Sequence, residues 1–151
     1  MQYSPRNLNL FFLFKIPSAY FTGIRTRYID DQKAILTVRH RWINQNPFRS
    51  LYFGVQAMAA EIATGVLVMK NIRNSKRNIS MLVTHQQGNF TKKATGLITF
   101  TCNDGLLISE VIQKAIETGE GQTLVLKSVG VNEDNVVVSS FEFHWGIKVR
   151  D

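Results

Sequence analysis

The sequence predicts a single α+β domain in which an antiparallel sheet curls round one long apolar helix. Three observations carry this reading. From Ser50 to Met69 there are twenty residues of which only Glu61 is charged, enough for a helix about 30 Å long. The segments Ala34 to Asn44 and Val136 to Val149 alternate apolar and polar residues, as half-buried strands do. Polar clusters such as Asp30-Asp31-Gln32-Lys33 and Asn103-Asp104-Gly105 mark turns between the segments.

In chain order, Asn7 to Lys15 reads as a short helix ended by Pro17, so that residues 1–17 form a helical extension to a domain spanning 1–151. Leu8 to Phe14 is too short, and too soon followed by Lys15, for a signal peptide. Tyr20 to Asp30 is expected as a first strand. Ala34 to Asn44 follows as a second, with Ala34, Leu36, Val38, His40 and Trp42 on one face and Thr37, Arg39 and Arg41 on the other. A loop fixed by Pro47 leads to the long helix, with Ser50 as its N-cap or first-turn residue and Lys70 and Arg73 near its negative end. Ile79 to Thr91 and Ala94 to Cys102 are the third and fourth strands, separated by Lys92-Lys93. Leu106 to Thr118 returns to helical period, with Gly119 as its cap. Gln122 to Val131 and Val136 to Val149 are the last two strands. On the final one Val137, Phe141, Phe143, Trp145, Ile147 and Val149 share a face.

Composition narrows the function. One cysteine, Cys102, excludes an internal disulfide and suits a reducing compartment, so a cytoplasmic location is expected. His40, His85 and His144 lie far apart, and no Cys/His cluster has metal-binding spacing; no metal is expected. The long helix has the length of a membrane span, but Glu61 and Gln56 inside it argue for a buried core helix. Eighteen Lys and Arg against eleven Asp and Glu give a net charge of +7, which suits an anionic partner. Arg39, Arg41 and Trp42 raise the idea of nucleic acid, but no helix-turn-helix or RNA-recognition signature accompanies them, and none is expected to bind.

The local sequence round the long helix resembles the hotdog fold of acyl-CoA thioesterases. Those enzymes show an asparagine, a short loop, a His-Gly-Gly step into the helix and an acid on it. Here Asn46 stands at the asparagine, Tyr52-Phe53-Gly54 at the step, and Glu61 at the acid. Phe90-Thr91-Lys92-Lys93-Ala94-Thr95-Gly96 is similar to the family's aromatic–basic–Ala–x–Gly step. The resemblance covers about residues 18 to 149 and looks closest to an uncharacterised branch. It implies a six-stranded antiparallel sheet wrapped round the helix, a homodimer or dimer of dimers with shared sites, and a thioester substrate. Coenzyme A would enter only as part of that substrate, with no separate cofactor.

Under that resemblance Glu61 is the general base or nucleophile, and Asn46 orients a loop or a ligand carbonyl. Backbone N–H groups at Phe53 and Gly54 hold the oxyanion, and Lys92 or Lys93 holds the nucleotide end of coenzyme A. Read from the residues alone, Glu61 fits first a cap or an ion-pair partner and each lysine a solvated surface, while Asn46 serves equally as a turn starter. Tyr52 and Phe53 depart from His-Gly, which leaves a non-catalytic acyl-CoA binder as the alternative and disfavours a hydratase.

Overall fold

The computed structural model describes residues 1–150. Ser4 caps the first helix, α1 (Pro5–Lys15), by accepting the Asn7 N–H, and a second short helix, α2 (Pro17–Phe21), follows at once. Strands β1 (Arg25–Ile29) and β2 (Ala34–Arg39) form a hairpin. The long helix α3 (Phe53–Ser75) precedes β3 (Ile79–Phe90) and β4 (Leu97–Cys102). Helix α4 (Gly105–Thr118), β5 (Gln122–Val131) and β6 (Val137–Val149) complete the chain. The six strands make one antiparallel sheet in the order β1-β2-β4-β5-β6-β3.

The sheet closes round α3. Its concave face presents Leu36, Ile98, Phe100, Leu124, Leu126, Phe141, Phe143 and Trp145, all buried, and α3 answers with small residues, among them Ala59, Ala60 and Ala63. Small residues let a helix lie close to a sheet, and each large side chain removed from water contributes about 1.5–3 kcal/mol. Leu8 and Phe12 of α1 are fully buried in the same core, so residues 1–17 are part of the packed domain rather than an appendage. By length and hydropathy α3 meets the test for a membrane span, yet it is the filling of the sheet.

Several expectations need correction. Tyr20 and Phe21 belong to α2, because Pro17 sits at a first-turn position that suits it and Gly23 turns the chain at φ +92°. The second strand ends at Arg39. Buried Asn44 takes the Arg41 N–H on its carbonyl and donates to the Thr22 and Arg39 carbonyls, which folds Trp42–Asn44 into a 3-10 turn. Trp42 is therefore 84% exposed, not on a buried strand face, and His40 lies outside the strand. Ser50 does not cap α3, which begins at Phe53 and runs on to Ser75. A register shift between Gly130 and Val131 turns Val137 outward. The third and fourth strands, consecutive in the chain, do not pair with each other: β3 pairs only with β6 and forms an edge of the sheet.

Candidate active site

Asn46 organises the loop before α3. Its Oδ1 accepts the N–H groups of Phe48 (2.9 Å) and Ser50 (3.2 Å), and its Nδ2 donates to the Ser50 hydroxyl at 2.9 Å. The loop also holds Arg49 in the left-handed region at φ 59°. The amide is thus engaged within its own turn, while the residue still lines a concavity of about 430 Å³ with Phe48, Phe53, Gln56, Phe90, Lys92 and Lys93. Lys93 Nζ donates to the Phe48 carbonyl at 2.9 Å; Lys92 is exposed beside it.

Tyr52 is the N-cap of α3 and offers no side-chain hydrogen bond. The first N–H groups of a helix have no partner within it. Those of Phe53 and Gly54 accordingly stand free at the positive end of the helix dipole, the place where an oxyanion is best stabilised. The Tyr52 ring folds over Gly54: a Cβ there would lie 3.0 Å from Tyr52 Cε1. Aromatic rings run inward from this point, Tyr52 to Phe53 (4.9 Å between centroids), Phe53 to Phe90 (6.3 Å) and Phe90 to Phe141 (5.5 Å).

Glu61 lies two turns further along α3, a rise of about 12 Å from Phe53. Among the described residues no side chain hydrogen-bonds or ion-pairs with its carboxylate. Burial without compensation pushes its pKa up from 4.5 to about 6. A Cβ on Gly65 would lie 3.6 Å from Glu61 Oε1 and 3.4 Å from the Trp145 ring, so the missing side chain at Gly65 leaves the carboxylate beside the indole. The ion-pair role open to Glu61 is not realised within the described chain.

The concavity therefore gathers Asn46, Phe53, Lys92 and Lys93, while Gly54 and Glu61 lie outside its lining. Gln56 was missed as a site residue and appeared only as a polar interruption of an apolar run. It is 5% exposed, its Nε2 donates to the Leu51 carbonyl at 3.2 Å, and its Oε1 has no partner. A glutamine one turn into a buried helix was the available signal. Cys102 is fully buried and its thiol is pushed up to about 12, which excludes a thiolate nucleophile there. No group of three or more metal-ligating side chains occurs among the described residues.

A six-stranded antiparallel sheet wrapped round a central helix defines a hotdog-fold domain, and solved structures agree on the fold. A protein of unknown function from Pseudomonas aeruginosa, described as a probable thioesterase, superposes with a TM-score of 0.83 at 20% identity over 97% of both chains. A thioesterase from Haemophilus influenzae gives 0.73 at 15% identity, over 99% of this chain and 93% of its own. A Staphylococcus aureus thioesterase, crystallised with a glutamine changed to alanine, gives 0.69 at 16% identity, over 87% of this chain and 98% of its own. No curated protein matches the sequence. The chain belongs to the family described as a domain of unknown function, DUF4442, whose model matches residues 6–147.

Proposed function

We propose that the protein is a thioesterase that hydrolyses acyl-CoA or a related thioester. The observation that carries the reading is Glu61, a half-buried carboxylate without a partner among the described residues, on the same helix whose first N–H groups are uncapped. Glu61 takes a proton from water as the water oxygen attacks the acyl carbon. The carbonyl oxygen becomes an oxyanion held by the Phe53 and Gly54 N–H groups, the C–S bond breaks, and the thiolate takes the proton back from Glu61. A base near neutrality suits this exchange. Lys92 and Lys93 stand at the mouth, where they fit the phosphates of coenzyme A. The Staphylococcus aureus protein was also crystallised with a glutamate changed to alanine, fifteen residues beyond its altered glutamine; Asn46 and Glu61 are fifteen residues apart here.

Within one chain Glu61 and the N–H donors are too far apart to meet at one carbonyl. Completing the site with a second copy of the chain, in a homodimer, supplies both halves. The bare edge of β3 supports that assembly: Thr84 to Gln87 are exposed, and Gln86 faces the concave side opposite buried Phe143. The lone buried thiol suits a cytoplasmic protein.

Turnover of acyl-CoAs of graded chain length tests the proposal, with Glu61→Ala expected to lose activity by about a hundredfold or more, as for removal of a general base. No turnover with any chain length, or full activity in the variant, overturns it. Tyr52 and Phe53 favour a second reading, a non-catalytic acyl-CoA binder, because their rings crowd the start of the helix where related enzymes carry smaller groups. Native mass spectrometry separates the two: a retained acyl-CoA in stoichiometric amount, with no hydrolysis, selects the binder.

A further inference from the structure

The fold gathers four guanidinium groups on the outer face of the first hairpin, away from α3. The β1–β2 register sets Arg25 opposite Thr37. Arg27 Nε donates to Thr37 Oγ1 at 2.9 Å, and Arg39 follows Thr37 on the same face. Arg25, Arg27, Arg39 and Arg41 line one concavity of about 460 Å³ with Thr37 at its floor. One carboxylate attends them, Glu133, 3.9 Å from Arg39 Nη1, and its Oε1 is already bound to the Leu97 N–H at 2.9 Å. Arg27 and Arg41 have no ion-pair partner among the described residues.

Two details make this more than a basic surface. Arg25 is fixed in place, its Nη1 donating to the Tyr20 and Ile24 carbonyls at 2.7 and 2.8 Å while its plane lies 3.9 Å over the Tyr20 ring. A guanidinium ordered in advance loses little freedom on binding. Thr37 is only 6% exposed, and its hydroxyl oxygen accepts from Arg27 while its own proton has no acceptor. That proton is available to a ligand oxygen on the concavity's floor. Planar guanidiniums pair bidentately with phosphate, and four of them, three on the two strands and Arg41 just beyond β2, exceed what one phosphate can engage.

We propose that this concavity is an oligophosphate site, taking two or more linked phosphate groups of a small molecule. Inorganic tripolyphosphate, a nucleoside triphosphate and the diphosphate end of coenzyme A share that chemistry. The site does not depend on the thioesterase reading, since none of its residues lies in the concavity at the start of α3.

Calorimetric titration of the purified full chain with tripolyphosphate at low salt should show saturable binding at one site per chain. Orthophosphate should bind at least about tenfold more weakly, because it fills only part of the guanidinium array. Arg27→Gln and, separately, Arg41→Gln should each weaken binding by about tenfold, in keeping with loss of a charged bidentate partner, whereas the lysine variant Lys114→Gln, on the exposed face of α4, should bind unchanged. Circular dichroism melts establish that each variant is folded. ATP and coenzyme A, titrated in turn, assign the source by which saturates at lower concentration. Absence of saturation with all three, or binding kept in both arginine variants, or binding lost in the lysine variant, overturns the proposal. So does a random oligonucleotide that binds where tripolyphosphate does not.

Discussion

The Trp145 indole N–H donates to the Thr64 hydroxyl at 2.9 Å, and that hydroxyl donates in turn to the Glu61 carbonyl at 2.8 Å. The first of these bonds is buried between β6 and α3 and the second is partly buried. The chain of bonds fixes the rotation of α3 against the sheet at the turn that carries Glu61. Trp145→Phe removes the donor and part of the ring. It should lower stability by about 1–3 kcal/mol, as loss of a buried hydrogen bond with some packing does. A thermal melt reads the stability. If the bond also positions Glu61, kcat should fall more than KM rises, whereas a purely structural role leaves kcat intact.

Glu61 should make stability depend on pH in a particular direction. Its folded pKa of about 6 lies above the ordinary 4.5, so the folded state holds the proton more tightly than the unfolded chain. The resulting stability is fully present below pH 4.5 and is lost as pH rises through about 6. Glu61→Gln removes this dependence, and above pH 6 it should gain up to about 2 kcal/mol over the parent. Urea melts at pH 4.5 and pH 7 check it; equal differences at the two pH values would sink the assignment. The rate of thioester hydrolysis in the parent should rise with pH about the same midpoint.

Gly88 tests the aromatic path. A Cβ there would come within 2.6 Å of Phe141 Cε1, and this ring is wedged between Phe90, Phe100 and Phe143. Gly88→Ala should cost about 1–3 kcal/mol, the usual penalty for overpacking. A melting temperature within a degree of the parent's would show that Phe141 can swing aside.

The two sheet edges should behave differently. Asn9 of α1 covers β1: its Oδ1 accepts the Thr26 N–H at 2.7 Å and its Nδ2 donates to the Thr26 carbonyl at 3.2 Å, as a neighbouring strand would. Strand β3 has no such cover. Light scattering at micromolar concentration should give a dimer. Asn9→Ala should reduce stability by about 1–3 kcal/mol, by leaving backbone groups unpaired, without changing that mass. A monomeric parent would remove the shared-site scheme.

The fold was legible because its signals were long. Twenty nearly uncharged residues and a final strand with five buried aromatic or aliphatic positions permit few architectures. What the sequence hid was set by single side chains acting at a distance. Asn44 ends the second strand by reaching Thr22, and nothing in the alternation up to Trp42 announces that. Pro17 looked like a stop and proved to be a start, since proline serves both ends of a helix boundary. Strand order was likewise invisible: β3 and β4 are separated by six residues, a hairpin-like distance, yet they lie on opposite sides of β5 and β6. Asn46, Phe53, Lys92 and Lys93 line one concavity from loop, helix and crossover; the family resemblance singled them out, and their spacing alone did not. Gln56 escaped notice because its importance lies in an unpartnered oxygen, which only packing reveals.

The amide of Asn9 has a consequence for stoichiometry. With one edge occupied from within, each sheet has a valence of one for strand addition. In the proposed dimer, two copies joined at β3 would exhaust each other's capacity, so edge pairing would terminate at a closed pair instead of propagating into a fibre. In that assembly a single asparagine, seventeen residues from its strand partner, would separate pairing from polymerisation.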